Sequence, residues 1–211
     1  MQINKGLKAQ EEILFQARTI LNEEGFGITL ADLAKRMGMT LGRITYHYPT
    51  KDLLFLSLAR QYEEVLQKSR STVIPQEYHF GSLVLRSSEA MDVQYDYRCV
   101  IRYIATSVRA QQQLFDHISG TFRKNRDRIR EVIHLLVDGE SLEAGILHPE
   151  TFEVVLFQFT SLFTTWLINL EIYDTDVTYA EMKLVYLKGI FACFLPFLTP
   201  KGREEWEKAK W

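Results

Sequence analysis

Residues 29–51 constrain the fold more than any other part of the chain, because three threonines in this 23-residue segment each precede a helical pattern. Thr29 is followed by apolar residues at helical spacing, and Asp32 three positions later completes a capping-box pair. Thr40 and Thr50 stand at the same position before the next two patterns. The segment therefore predicts three helix starts in close succession.

The first two of these helices are short and are joined by a turn at Gly38. The inward positions of the second helix are expected to be Leu41 or Ile44, together with Tyr48. Two short helices about a glycine-containing turn form a helix-turn-helix. An earlier amphipathic helix, which Gly25 ends, is indicated by Ile13, Leu14, Ala17, Ile20 and Leu21. Residues 1–49 are therefore predicted to be a three-helix head.

The outward side of the second short helix carries the functional prediction. A helix over residues 40–47 is about 12 Å long, which matches the width of a DNA major groove. Arg43, Thr45, Tyr46 and His47 are expected on that side, where they can donate hydrogen bonds to bases and phosphates. Gly42 destabilises a helix by about 0.5–1 kcal/mol, and a close approach to DNA would offset that loss. A tolerated surface glycine is the alternative.

Lys51 is expected to contact a DNA phosphate. A cation in the first turn of a helix opposes the helix dipole unless an anion also binds there. Thr29 and Thr40, each at a helix start, are candidates for the same kind of contact, although a threonine cap needs no DNA.

Residues 11–66 resemble the DNA-binding region of the TetR family of bacterial transcriptional regulators. The resemblance is carried by Gly25-Phe26, Thr29, Leu33-Ala34, Gly38-Met39, the run from Gly42 to Tyr48, and Thr50-Lys51. It implies base-reading roles for Leu41, Gly42, Arg43 and Tyr46. It implies DNA-backbone contacts for Thr29, Thr40, His47 and Lys51. Thr45 departs from the pattern, because family members usually have a tyrosine there; Tyr46 or the threonine hydroxyl replaces that contact, or the contact is missing.

The remaining sequence is helical in period, which predicts an all-α chain. A linking helix is expected over 50–73, within a larger body at 50–211. Further helices are expected near 79–92, 96–109, 111–138, 150–173 and 178–195, with a short one after Pro200. The resemblance implies that this body binds an effector and dimerises through its last long helices.

Aromatic residues in the body supply candidates for both roles. The predicted dimer interface comprises Phe159, Phe163, Trp166, Tyr186, Gly189, Ile190 and Phe194. The predicted effector contacts are Tyr95, Arg98, Tyr103, Phe115, His117, Phe122 and Trp166. For each of these residues an ordinary place in the core is the alternative.

Charge and composition favour an intracellular regulator. The net charge is −2, but residues 1–51 hold seven Lys and Arg against five Asp and Glu, so the predicted head is weakly basic. The two cysteines, Cys99 and Cys193, lack metal-ligand spacing and are expected to be buried thiols in a reducing compartment. Residues 154–170 lack charge, yet they are too short and too polar for a typical membrane span, and a buried helix is favoured.

The sequence carries no recognisable enzyme motif, and no metal or cofactor is expected. We predict a cytoplasmic homodimeric regulator, a repressor, which binds a palindromic double-stranded DNA operator and is released by a small-molecule effector. Two alternatives remain open at this point: a ligand-binding or scaffolding helical dimer without DNA binding, and a helical enzyme acting on a small apolar substrate.

Overall fold

The computed structural model describes residues 3–69, 78–107, 112–209 and 211, and these residues form an all-α fold. The helices are α1 (Ile3–Glu24), α2 (Leu30–Arg36), α3 (Leu41–His47), α4 (Lys51–Ser69), α5 (Phe80–Asp96), α6 (Arg98–Ser107), α7 (Gln112–Asp138), α8 (Pro149–Ile172), α9 (Tyr179–Phe191) and α10 (Pro200–Lys208). Two short 3₁₀ helices occupy Ala144–Leu147 and Ala192–Phe197. The predicted all-α class is confirmed.

Several helix ends lie where the sequence places their stop and start residues. Gly25 and Gly38 adopt the left-handed backbone conformation, with φ of +80° and +63°, immediately after the first two helices. Pro149 and Pro200 each stand in the first turn of their helices, where a missing N–H has no consequence. The predicted helix at 178–195 changes to 3₁₀ geometry after Phe191, and Pro196 lies in that segment.

The chain forms two compact units. Unit 1 contains the residues up to Val65 together with Asp96–Ile118, and unit 2 contains Leu66–Tyr95 with Ser119–Trp211. This is not the same division as the predicted functional domains, 1–49 and 50–211, which stay a prediction. Of the predicted linking helix at 50–73, residues 51–69 are helical, and residues 70–73 lie outside the described part of the chain.

Unit 1 has an apolar core beneath the three N-terminal helices. Ile13, Leu33, Ile44 and Phe55 are all fully buried, one from each of the first four helices. A polar contact adds α6 to this group, since the Asn22 carboxamide receives the Cys99 N–H at 2.9 Å and donates to the Asp96 carbonyl at 2.7 Å. Asn22 thus satisfies one backbone group at the end of α5 and one at the start of α6.

Unit 2 is built around aromatic side chains and closed by α10. Phe80, Phe159, Phe191 and Phe194 are buried, with ring centroids 5.3–6.0 Å apart. Gly202 lets α10 approach the backbone at Ser141, because a Cβ at this position would overlap the Ser141 carbonyl. The Glu205 carboxylate then accepts the Phe80 N–H at 2.9 Å and the Ser141 hydroxyl at 2.8 Å. The last helix therefore stabilises the start of α5.

Candidate DNA-binding surface

The start of α2 is fixed by a complete capping box. The Asp32 N–H donates to the Thr29 hydroxyl oxygen at 3.1 Å, and the Thr29 N–H donates to the Asp32 carboxylate at 3.1 Å. The Thr29 hydroxyl also donates to that carboxylate at 2.6 Å, and these bonds lower the pKa of Asp32. The predicted cap is confirmed. The Thr29 hydroxyl proton is thus used within the protein. The additional phosphate contact of Thr29 stays a prediction.

The start of α3 is capped by Thr40 alone, and burial shows which side of this helix faces outward. The Arg43 N–H donates to the Thr40 hydroxyl oxygen at 3.2 Å. Ile44 is fully buried and Tyr48 is 5% exposed, so these two residues form the inward side. Of the two open alternatives, Ile44 is the buried residue, because Leu41 is 44% exposed.

The outward side of α3 presents a mixed polar and aromatic surface. Tyr46 is 82% exposed, and Leu41, Gly42 and Arg43 are exposed beside it. His47 is half-buried and its ring makes an edge contact with Tyr46 at a centroid distance of 4.9 Å. This surface offers a guanidinium, a phenol and an imidazole within two helical turns, a set that can donate to base edges and phosphates.

Thr45 and Lys51 are partly engaged inside the protein. The Thr45 hydroxyl donates back to the Leu41 carbonyl at 3.1 Å, an interaction typical of threonine within a helix. The Lys51 ammonium donates to the carbonyl of Phe26 in the loop after α1. Burial lowers the pKa of Lys51 from its usual value of 10.5. An ammonium has three donors, so the proposed phosphate contact of Lys51 is compatible with this bond.

The structure adds one residue to this surface that the sequence interpretation did not include. Glu12, on α1, lies 2.7 Å from the Arg43 guanidinium. The two residues are 31 positions apart, and no local pattern links them.

The predicted effector residues fall in both units. Arg98, Tyr103 and His117 belong to unit 1, and Tyr95, Phe122 and Trp166 belong to unit 2. The side chain of Phe115 lies outside the described part of the chain. Phe122 is 40% exposed and Arg98 is half-buried at the start of α6. Within unit 1, the His117 imidazole lies 3.1 Å from the Glu63 carboxylate.

Tyr103 contacts residues in the first turns of α4 and in the loop after α1, and its effector contact stays a prediction. Its ring stacks on Phe55 at 3.8 Å with an interplanar angle of 4°, and meets Phe26 edge-on at 5.9 Å. Its hydroxyl donates to Asp52, and burial together with this carboxylate raises the pKa of Tyr103. Tyr103 therefore braces the helix that carries Lys51 in its first turn.

Tyr95 and Trp166 come together in unit 2. Both rings contact Tyr179, at centroid distances of 4.3 and 5.4 Å. The Trp166 indole N–H donates to the buried Gln94 carboxamide at 2.5 Å, so its polar atom is satisfied within the chain. Their effector contacts stay a prediction.

The predicted dimer residues differ in their burial. Four of them are core residues whose side chains pack within their own chain and are at most 2% exposed: Phe159, Trp166, Ile190 and Phe194. Phe163 and Tyr186 are half-buried, and Gly189 is exposed. The exposed apolar residues of α8 and α9 are different ones, including Val154 (55%), Phe157 (65%), Leu184 (45%) and Val185 (56%). The four core positions were placed on the wrong face because both faces of these helices are apolar. The dimer contacts of Phe163, Tyr186 and Gly189 stay a prediction.

Two further observations concern metals and membranes. Among the described residues, no group of three or more His, Cys, Asp or Glu side chains is arranged to hold a metal ion. Helix α8 is long and apolar enough to cross a membrane by length and composition alone. The core helix of a soluble protein passes the same test, and eight residues of α8 are buried inside unit 2.

No family model matches the sequence, but comparison with known proteins finds similar ones. The HTH-type transcriptional regulator CymR of Pseudomonas putida is 29% identical over 72 residues, which cover 33% of this chain and 36% of that regulator. The crystal structure of a TetR-family transcriptional regulator from Marinobacter aquaeolei VT8 superposes with a TM-score of 0.81 at 17% identity. This superposition covers 92% of the present chain and 93% of the other. The chain therefore has the all-α fold of a TetR-family transcriptional regulator.

Proposed function

We propose that this protein is a DNA-binding transcriptional regulator that reads its operator with α3. The observation that carries the proposal is the outward side of this helix, where Arg43 and Tyr46 are exposed while Ile44 and Tyr48 anchor the opposite side. A seven-residue helix is about 10 Å long and fits a major groove about 12 Å wide. The partial match to an HTH-type regulator supports the same proposal.

In the proposed complex, Arg43 and Tyr46 contact base edges and Leu41 packs against a thymine methyl group. Lys51 and the capped helix starts at Thr29 and Thr40 contact phosphates, which set the register of α3 without reading sequence. The head is only weakly basic, so each placed contact carries a large share of the affinity. We place the protein in the cytoplasm, where its operator would be.

The protein would act as a homodimer through the exposed apolar face of α8 and α9. The large apolar side chains of Val154 and Phe157 on α8, and of Leu184 and Val185 on α9, are exposed in the single chain. An exposed apolar face of this kind is typical of a surface that binds another protein. A groove between the two helices contains Leu162, Gly189 and Ala192. A Cβ on Gly189 would meet nothing in the single chain, so a second helix could approach closely there. Two heads related by twofold symmetry would bind half-sites about 34–36 Å apart, or a multiple of that distance.

A small, partly apolar effector would release the operator. The aromatic residues Tyr95, Trp166 and Tyr179, with the buried Gln94, are the favoured contacts in unit 2. A coupling free energy of about 1–3 kcal/mol between effector and DNA would give roughly 5- to 150-fold regulation, and repression is the proposed sign.

The proposal is tested by selecting duplexes from a randomised library with the purified protein. We expect enrichment of a palindromic sequence, and a mobility shift with the selected duplex that a scrambled duplex of equal length does not give. Arg43→Ala should weaken binding to the selected duplex by about 1–3 kcal/mol and relax the base preference at one position of each half-site. Failure to enrich any sequence would favour a helical dimer without DNA binding, and equal loss on both duplexes would contradict base reading by Arg43.

A further inference from the structure

An acidic side chain lies at the edge of the surface proposed to face DNA. The Glu12 carboxylate is 2.7 Å from the Arg43 guanidinium, and their side chains are 48% and 46% exposed. Tyr48, which follows α3, also reaches α1, because its hydroxyl lies 3.5 Å from the Gln10 carbonyl. The Glu12–Arg43 pair is therefore a second contact between these two parts of the chain.

Both partners of this pair are oriented by further hydrogen bonds. The Gln16 amide donates to the second oxygen of the Glu12 carboxylate at 3.4 Å, one helical turn along α1. The Arg43 backbone is fixed at the capped start of α3. A guanidinium has five donors, so the carboxylate at one nitrogen draws this group toward α1 and leaves the other donors for a second partner.

The contribution of this pair to stability is small, because exposed ion pairs contribute little to folding. Its position is unfavourable for general affinity to nucleic acid, since a carboxylate near DNA is repelled by phosphates and neutralises a cation that could bind them. An arginine that turned from Glu12 to a phosphate would leave this carboxylate unpaired near other negative charges. The pair thus penalises phosphate contacts by Arg43 more than contacts to a base edge.

We infer that Glu12 is a positioning residue that sets the sequence selectivity of Arg43. It limits the directions that the guanidinium can take, so that the remaining donors are presented to a base, and it disfavours alternative contacts with the DNA backbone. This inference rests on the proposed function, in which Arg43 reads a base.

The test compares Glu12→Ala with a matched control, Glu11→Ala, which removes the same charge from the adjacent exposed position of α1. The probes are the duplex selected by the wild-type protein and a scrambled duplex of equal length, each titrated at several salt concentrations. Glu11→Ala should tighten binding to both duplexes by the same factor. Glu12→Ala should tighten binding to the scrambled duplex more, so that the ratio of the two affinities falls about 5-fold or further, the range expected for one bidentate base contact.

A structural role is separated from positioning by repeating the measurement without the arginine. In an Arg43→Ala background, Glu12→Ala should leave the affinity ratio unchanged, because no guanidinium remains to be oriented. Glu12→Gln, which keeps the shape of the side chain and loses its charge, should lower the ratio in the wild-type background as alanine does.

Two results would overturn the inference while leaving the proposed function intact. One is a wild-type protein that discriminates the two duplexes, with equal ratios in Glu12→Ala and Glu11→Ala. The other is a loss of selectivity on removing Glu12 that is the same with and without Arg43. A wild-type protein that binds neither duplex would instead refute the proposed function itself, and the inference with it.

Discussion

Replacing Gly42 with alanine is expected to raise the stability of the protein and to lower its affinity for DNA. Gly42 is the second residue of α3, is exposed, and has room for a side chain, because a Cβ built on it meets nothing within 4 Å. Nothing in the free protein therefore requires glycine at this position. A requirement for glycine would have to come from a partner that approaches the backbone closely.

Gly42→Ala should stabilise the free protein. Glycine in a helix is less favourable than alanine by about 0.5–1 kcal/mol, and no clash opposes the gain. For a chain of this length such a gain raises the Tm by about 1–4 °C. A scanning calorimetry or thermal circular dichroism experiment measures this change directly.

DNA binding should weaken in the same variant. A methyl group on the outward side of α3 would displace the helix from the groove and disturb an adjoining base contact, each of which is worth about 1–3 kcal/mol. The affinity for the selected duplex, measured by fluorescence anisotropy, should therefore fall although the protein is more stable.

Gly120→Ala is the matched control for this pair of effects. Gly120 lies within α7, where a Cβ likewise meets nothing within 4 Å, and this position is far along the chain from α3. We expect a similar gain in Tm with no change in DNA affinity. Unaltered DNA affinity in Gly42→Ala would refute the close approach and leave Gly42 a tolerated surface glycine.

Four further variants or conditions test other parts of the structure. Gly202→Ala should lower the free energy of unfolding by about 1–3 kcal/mol or more in a chemical denaturation experiment, because its Cβ overlaps the backbone at Ser141; stability equal to that of the wild type would contradict the close packing of α10. Lys51→Ala should weaken binding to selected and scrambled duplexes alike and lower the salt slope by about one, and a loss confined to the selected duplex would argue against a phosphate contact. Phe157→Glu should convert a dimer to a monomer in sedimentation velocity, whereas Leu85→Glu, at another exposed apolar position, should not; a persistent dimer would place the interface elsewhere. Burial raises the pKa of Cys99 to about 11 and that of Cys193 to about 12. In the unfolded chain these thiols would lose their protons at about pH 8.5, so their contribution to stability is complete below that pH and is lost as the pH rises toward the folded values. The free energy of unfolding should fall over that range, and the Cys99→Ala, Cys193→Ala double variant should show a shallower slope; an unchanged slope would assign the effect to other groups.

The sequence was sufficient wherever the physical cause is local. Thr29 and Asp32 are three residues apart, and a capping box needs only that spacing, so the start of α2 could be predicted without knowledge of the rest of the chain. Gly25 and Gly38 were predicted to end helices for the same reason, since a left-handed backbone conformation depends on one residue. The exposure of Arg43 and Tyr46 followed from helical periodicity once the start of α3 was known.

Sequence reasoning failed in helices whose two faces have similar composition. Phe157 and Phe159 are two residues apart on α8 and point to different faces, and the first is 65% exposed while the second is 2% exposed. Periodicity distinguishes an apolar face from a polar one, and it carries no information when both faces are apolar. Which face packs within the chain is decided by contacts with α9 and the residues that follow it, including the rings of Phe191 and Phe194.

The amino-acid sequence by itself determined the helical class, the order of the N-terminal helix starts and the polar set on α3, because caps, turns and periodicity act over a few residues. Only the tertiary structure decided that Tyr103 donates to Asp52 on α4, that Asn22 accepts the Cys99 N–H at the start of α6, and that Glu12 pairs with Arg43. These contacts join residues 31 to 77 positions apart. Side chains at such separations meet only when the packing of whole helices brings them together, and no local pattern records that packing.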